Sequence, residues 1–397
     1  MSPKSLRDVV IVSAARTPVG AFQGSLSSLP APQLGAIAIR EAVSRAQIST
    51  NEVQECIMGE VLTAGVGQAP ARQAALGAGL SNSTACTTVN KVCGSGLKSV
   101  ALAWDLIRTG EADIVVAGGQ ESMSLAPHLL ENSRVGYRMG SAPIADSMIK
   151  DGLWDPYKNT HMGNIAEICS QKFSFTREQQ DQFAMESYKK AQAAQAEGRF
   201  QEEIVPVVIE GKKGTQTISA DDEPSLAKFD KMAGLRPAFE KTGTITAANA
   251  SKINDGAAAV VLMSAEKAAE KKLKPLARIV AAASFAQEPD MFTTAPVGAI
   301  RKALQKAGLG VGDIGLWEIN EAFSNVTMAD MKELEIQEDK VNVNGGDVDI
   351  GHPIGASGTR ILTTLLYALK NRKQRYGLAT LCIGGGEGIA LIVEHTA

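Results

Sequence analysis

The sequence predicts an α/β chain of two similar halves, with mixed sheets between helix layers and a loop domain inserted between the halves. Three observations predict it. The first third alternates short β-branched runs with Ala-rich helical stretches. The last third returns to the same alternation. The middle, from about Ser122 to Lys252, breaks it with polar and charged segments and few buried-strand patterns. At 397 residues the chain exceeds what one hydrophobic core usually serves, so two or three domains are expected. Residues 1–122 plus 253–274 form the first half, 123–252 the inserted loop domain and 275–397 the second half.

In order, Val9 to Val12 reads as a buried strand, Leu34 to Ala46 as a helix and Ile57 to Leu62 as a strand. Pro70 opens a helix that runs to Ala78, with proline at the first helical position. Gly94 to Arg108 is helical, and Ile114 to Gly118 is a strand bounded by glycine. The middle carries Trp154-Asp155-Pro156-Tyr157, a charged helix from Arg177 to Glu197 and the polar stretch Gly211 to Glu223. An insertion of this length is expected to be functional. Beyond it come a strand Ala277 to Ala283, a helix Pro296 to Ala307 and a strand Leu316 to Ile319. A helix Gly358 to Lys370 and a hairpin of Gly377 to Cys382 with Ile389 to Val393 close the chain. The first and last thirds each have a strand leading to a cysteine beside glycine, at Cys93 and Cys382, which suggests a duplicated unit whose two sites converge.

Net charge is -3, from 40 basic and 43 acidic residues, so neither nucleic acid nor a membrane surface is an expected partner. No stretch approaches the roughly 20 apolar residues that span a bilayer. The start lacks the apolar core of a signal peptide and the Arg-rich pattern of a transit segment. Five cysteines without CxxC spacing, and only four histidines, argue against structural zinc and for a reducing, cytoplasmic compartment.

Four segments could carry chemistry. Cys93 lies between a strand and the helix opening in Gly94-Ser95-Gly96, whose N-terminal dipole should lower a thiol pKa. Read locally, a small buried cysteine at a tight turn fits equally well. Cys382 precedes Gly384-Gly385-Gly386, where N–H groups can face a ligand oxygen, or simply form a turn. His352 sits in the Gly-dense run Asn344 to Gly355, a candidate base for a thiol or a structural histidine. Asn320, after the strand Trp317-Glu318-Ile319, can orient water or hold a histidine tautomer, or cap a helix.

Taken together and in this order, the segments resemble the thiolase family, in its acetoacetyl-CoA branch. The matching blocks are Asn90-Lys91-Val92-Cys93-Gly94-Ser95-Gly96, Asn320-Glu321-Ala322-Phe323, Gly351-His352-Pro353-Ile354-Gly355 and Cys382-Ile383-Gly384-Gly385-Gly386. The resemblance covers the chain from Val9 onward. It implies the thiolase fold, and acyl transfer to Cys93 with His352 as base. It implies that Cys382 shuttles a proton at the methyl carbon of a second acetyl-CoA. Asn320 would hold an oxyanion-hole water, and the Cys93 and Gly384 N–H groups would form a second hole. Claisen chemistry needs these parts: an acyl acceptor, a base for a weak C–H acid and stabilisation of two oxyanions.

In the insertion, His161-Met162-Gly163, Leu235 to Phe239 and Thr246 to Ser251 resemble the family's CoA-binding loop domain. This implies that Ser251 contacts the pantetheine arm and Phe239 lines the channel, with Ala247 and Phe323 in the neighbouring matched blocks. Lys231 and Arg236 are expected near the CoA phosphates. His161 and Met162 point to a short acyl chain. No permanently bound cofactor or metal is implied; coenzyme A and acetyl-CoA are substrates. Such enzymes are homotetramers built as dimers of dimers.

Three departures or alternatives bear on this. Asp347 and Asp349 stand where the family usually has small apolar residues. On an extended segment they would face one side, beside His352, and raise its pKa. Ile168 stands where the family commonly has asparagine, which removes one hydrogen bond of the loop domain. The alternatives are a broad-chain 3-ketoacyl-CoA thiolase, which the His161-Met162-Gly163 segment disfavours, a ketosynthase-like enzyme, which Cys382 disfavours, and a non-catalytic CoA-binding protein.

Overall fold

A computed structural model describes residues 6–211 and 214–396. The expectations for the first five residues, for part of the polar stretch after Gly211 and for Ala397 lie outside the described residues.

The first half contains β1 (Val9–Arg16), α1 (Ala31–Arg45), β2 (Glu55–Gly59), α2 (Pro70–Gly77), β3 (Ala85–Val89), α3 (Ser95–Thr109) and β4 (Ile114–Ser122). Helices α4 (Met162–Phe173) and α5 (Arg177–Ala196) follow, then β5 (Asn254–Ser264). The second half contains β6 (Ala277–Ala286), α6 (Ala295–Ala307), β7 (Leu316–Ile319), α7 (Ser324–Leu334), α8 (Ser357–Arg372), β8 (Tyr376–Ile383) and β9 (Glu387–His395).

The strands run β7-β8-β9-β6-β1-β5-β4-β2-β3, with the short strand Gly20–Ala21 beside β5. Each half repeats one pattern. Its first strand lies antiparallel to its last, which lies antiparallel to the strand before it; the next neighbour is parallel. Both halves shift register at the same place, between Ile11 and Ser13 in β1 and between Ile279 and Ala281 in β6. Within the sheet, the described residues join the halves by two residue pairs, Val10 with Arg278 and Ile11 with Ala277.

Alternate residues of each strand enter different cores, as a two-residue period requires. Val10 and Val12 pack toward α1 and α2, while Val9 and Ile11 face α3 and α8. In β9, Leu391 and Val393 join the central core, and Ala390 and Ile392 pack with α6 and α7. Five layers result, with α3 and α8 at the centre and one half of the sheet on each side. Because both strand faces are covered, these strands read as continuous apolar runs.

The duplication holds, but not through the two Cys–Gly segments. Cys93 precedes the central helix of the first half, and the corresponding place in the second half is His352, before α8. Cys382 ends β8, the counterpart of β4. The two central helices meet through glycine. A Cβ on Gly96 would stand 2.8 Å from Thr359 N, and one on Gly358 would stand 2.2 Å from Leu97 N. Side chains at these positions would push the helix starts apart, and with them Cys93 and His352.

Several elements escape sequence reading or, like β3 before Cys93, are expected there without bounds. β3 is a polar edge strand, Ala-Cys-Thr-Thr-Val, without an apolar run. β5 begins with Asn-Asp-Gly, a turn signature, and α4 begins at His-Met-Gly, which reads as a loop. α7 has a weak apolar stripe interrupted by Asn325, Thr327 and Asp330, all buried. The predicted strand to Leu62 stops at Gly59, because the Glu121 carboxylate takes the Val61 and Leu62 N–H groups at 3.0 and 3.1 Å.

Candidate active site

Cys93 stands in a tight turn between β3 and α3. Gly94 N–H donates to the Lys91 carbonyl, and Ser95 N–H and Oγ both donate to the Val92 carbonyl. Val92 itself has φ +46°, a left-handed conformation that is costly for a β-branched residue. The turn thus holds Cys93 half-buried against Val61, Leu62, Met123, Met148 and Ile354.

His352 is buried 6% exposed, on the loop before α8, and its N–H donates to Asn254 Oδ1 at 2.8 Å. Ser357 Oγ donates to the Pro353 carbonyl at 3.0 Å, so it accepts from His352 Nδ1–H at 2.6 Å. That tautomer leaves Nε2 with a lone pair, and Nε2 is buried with no partner. Asn320 Nδ2 lies 3.2 Å from Nδ1, which in this tautomer has no lone pair to accept its N–H, and Asn320 Oδ1 is buried without a partner. Two unsatisfied polar atoms in one buried place are an arrangement suited to a substrate or water oxygen.

Cys382, buried at the end of β8, packs among Ile165, Ala322, Phe323 and Val326. The following turn has Gly385 and Gly386 at φ +89° and +85°. It brings the Gly384 N–H near enough to the Cys93 sulfur to pull that thiol's pKa down, as Cys93's own N–H does. The helix-terminus expectation for Cys93 is corrected here. Burial outweighs these N–H groups and pushes its thiol up to about 12. Burial raises Cys382 well above the usual thiol range, and the neighbouring Cys93 adds to the rise. His352 is held below the ordinary imidazole value, chiefly by burial. At rest the site is two neutral thiols and a neutral imidazole.

The expected substrate-side residues divide in two. Met162 and Phe239 pack on the cluster that holds Cys382 and Phe323, and Phe239 meets Phe323 edge-on at 6.1 Å. His161 stacks on Phe239 at 4.7 Å and caps α4, accepting from Gly163 N–H at 3.0 Å. Ser251 N–H donates to the Ala322 carbonyl, next to Phe323. Lys231 and Ala247 instead line a cavity of about 240 Å³ with Tyr188, Met232 and Lys252. Arg236 is exposed and lines neither.

The Thiolase, N-terminal domain family matches residues 9–266, and the Thiolase, C-terminal domain family matches residues 273–395. The chain belongs to the thiolase family. It is 55% identical over 392 residues to the acetyl-CoA acetyltransferase of Cupriavidus necator, covering 98% of this chain and 100% of that one. It is 53% identical over 391 residues to acetyl-CoA acetyltransferase 2 of Arabidopsis thaliana, covering 98% and 97%. The acetyl-CoA acetyltransferase of Schizosaccharomyces pombe is 49% identical over 390 residues, covering 98% and 99%.

The two unusual acids of this thiolase do not act as expected. The segment is coiled, with Ile350 N–H donating to the Gly346 carbonyl, so they do not share a side. Asp347 pairs with the buried guanidinium of Arg360 at 2.7 Å. Asp347 pulls the His352 pKa up, but Arg360 opposes it and burial wins. Asp349 is fully buried with no donor on either oxygen. Ile168 packs against the cluster of Ile165 and Phe323.

Several supports in this thiolase escaped sequence reasoning. Ser357 fixes the His352 tautomer, and Asn254 fixes its backbone. Glu121 also takes the Gly355 N–H at 2.8 Å. Glu167 receives the Thr244 and Ile245 N–H groups at 2.8 Å each, anchoring the segment that ends in Ser251. Ser357 alone had a signal, five residues after His352 at a helix start.

Proposed function

We propose that this thiolase is an acetyl-CoA C-acetyltransferase, which reversibly condenses two acetyl-CoA molecules to acetoacetyl-CoA and CoA. The observation that carries the reading is the convergence of Cys93, His352, Asn320, Cys382 and Gly384 from four separate loops. The Cys93 thiol gives its proton to His352 Nε2 and attacks the acetyl-CoA carbonyl. The tetrahedral intermediate collapses to acetyl-Cys93, and the CoA sulfur leaves with the proton of the Cys382 thiol, while the Cys93 proton stays on His352. For the second acetyl-CoA, Cys382 as thiolate removes a methyl proton. The resulting carbanion attacks acetyl-Cys93, forms the new C–C bond and releases the Cys93 sulfur, which takes back the proton held on His352. The unpartnered Asn320 atom holds a water which, with His352, faces the thioester oxygen where enolate charge develops. The Cys93 and Gly384 N–H groups face the tetrahedral oxyanion. Neither step requires an electron donor, so coenzyme A thioesters are substrates and no resident cofactor is needed.

Residues 123–252 act in this reading as the substrate-binding loop domain, with His161, Met162, Phe239, Ala247 and Ser251 along the acyl-CoA and Lys231 and Arg236 toward its phosphates. Met162 favours a short chain: its Sδ and Cε lie 3.7 Å from a Cβ built on Gly384. The assembly is a homotetramer. Two separate surfaces support it: the edge strand β3, and the loop exposing Val135, Met139 and Ile144. Among the described residues no helix is long and apolar enough to cross a membrane. A cytoplasmic setting suits five unbridged cysteines.

The test is CoA-dependent cleavage of acetoacetyl-CoA beside a longer 3-ketoacyl-CoA, with Cys93→Ala as control. Cleavage of the short substrate alone, lost in the variant, is expected. Comparable cleavage of the long one would place the enzyme with broad-chain 3-ketoacyl-CoA thiolases.

A further inference from the structure

Lys252 lies between two segments that the proposed reaction needs in register. Its Nζ donates to the Ala250 carbonyl at 2.9 Å and to the Val348 carbonyl at 3.0 Å. It also stands 5.5 Å from the centre of the Tyr188 ring. Ala250 precedes Ser251, and Val348 lies on the loop that leads to His352. The side chain is half-buried, with Tyr188, Glu223 and Ala247 around the same cavity. The acids that face its charge are Glu223 first, then Asp349 and Glu321; Tyr188 is the other titratable neighbour. Glu223 accepts from Asn254 Nδ2 at 3.3 Å, and Asn254 Oδ1 holds the His352 N–H. Hydrogen bonds thus link Glu223, next to the lysine, to the His352 backbone.

We propose that Lys252 is a positioning residue for acyl-CoA binding, a cation built into the chain that fastens the Ala247–Ser251 segment to the loop carrying His352. The proposal rests on the acyl-CoA reading above. An ammonium is suited to the task because it offers three donors and no acceptor, so it can hold two carbonyls at once. An apolar side chain of similar length would leave both carbonyls without this donor and the nearby carboxylates without its opposing charge. The charge is maintained against burial, which lowers the lysine to about 8. The clamp is therefore intact below that pH and opens as pH rises through it.

The sign of the pH response separates positioning from bare structure. Below its folded pKa the lysine is charged in both folded and unfolded chain. Between about 8 and the ordinary lysine value of 10.5, only the unfolded chain holds the proton, so Lys252 favours folding more as pH rises there. Substrate affinity should move the other way. The experiment measures acetyl-CoA binding calorimetrically in the Cys93→Ala background, where no acyl transfer occurs, with and without Lys252→Met. We expect Lys252→Met to weaken binding roughly ten-fold at pH 7. The parent should lose affinity between pH 7 and 9, while the variant stays flat. Equal affinity in parent and variant, or a parent that is flat over that range, overturns the proposal. If Lys252→Met does not fold, the parent series decides together with Glu223→Gln, which should move the break to lower pH; an unmoved break counts against the proposal. Acetyl-CoA binding without any acetoacetyl-CoA cleavage by the native enzyme would sink the assigned reaction and leave Lys252 to be judged on affinity. No acetyl-CoA binding would sink both.

Discussion

The hydrogen on His352 Nδ1 is shared with Ser357, and its place decides what Nε2 can do. Ser357→Ala removes the acceptor and frees the ring to take the other tautomer. We expect kcat to fall roughly ten-fold with little change in KM, measured by steady-state acetoacetyl-CoA cleavage. Because burial lowers the imidazole pKa, the base stays unprotonated through neutral pH. The acid limb of kcat/KM should therefore lie below the ordinary imidazole value of 6.5; a limb above it would contradict the assignment. The two unusual acids should respond in opposite directions. Asp347→Ala strands the buried Arg360 charge and should cost about 3–5 kcal/mol in denaturant unfolding. Asp349→Ala removes a buried carboxyl without donors and should raise stability by about 1 kcal/mol at pH 8. Its folded pKa lies above the unfolded one, so the cost of keeping it disappears as pH falls, and the variant's gain should shrink toward pH 4. Cys93, His352, Asn320 and Cys382 were legible because each interrupts a regular pattern beside glycine or at a strand end. The raised Cys93 thiol was not legible. A helix terminus can be read from residue order, but the desolvation that outweighs it comes from Val61, Met123, Met148 and Ile354, on distant segments.

At the level of elements, the strand ends around the His352 loop are held by carboxyls. Glu60, just past β2, and Glu121, at the end of β4, are both buried; burial lifts them to about 8 and about 7. Their folded pKa values exceed the unfolded ones, so they favour folding at acid pH and lose that contribution as pH rises through 7 to 8. Thermal unfolding followed from pH 6 to 9 should show a falling midpoint, and Glu60→Gln should reduce that fall by several degrees. An unchanged slope would show that the pair stays ionised throughout. Most strands and helices of both halves could be read from periodicity. β3 and β5 could not, since one is an edge strand with polar side chains and the other starts on a turn signature. Their identity comes from the neighbours they pair with, Cys56 with Cys86 and Ala259 with both Ala15 and Gly118.

On the scale of the whole molecule, the exposed side chains are as informative as the core. Val135 and Met139 are 87% and 96% exposed on a loop of the inserted segment. Val135→Asp with Met139→Asp should reduce the particle mass in light scattering without lowering the unfolding temperature of the subunit. A mass equal to that of the parent would move the interface elsewhere. The duplication shows in the two matching register shifts, in the shared strand order and in central helices that start side by side. It also has a historical consequence. A single ancestral half could have built this centre only by pairing with an identical copy, which would have placed the same residue before both central helices. Within one chain the two positions are independent, so a cysteine can stand before one central helix and a histidine before the other.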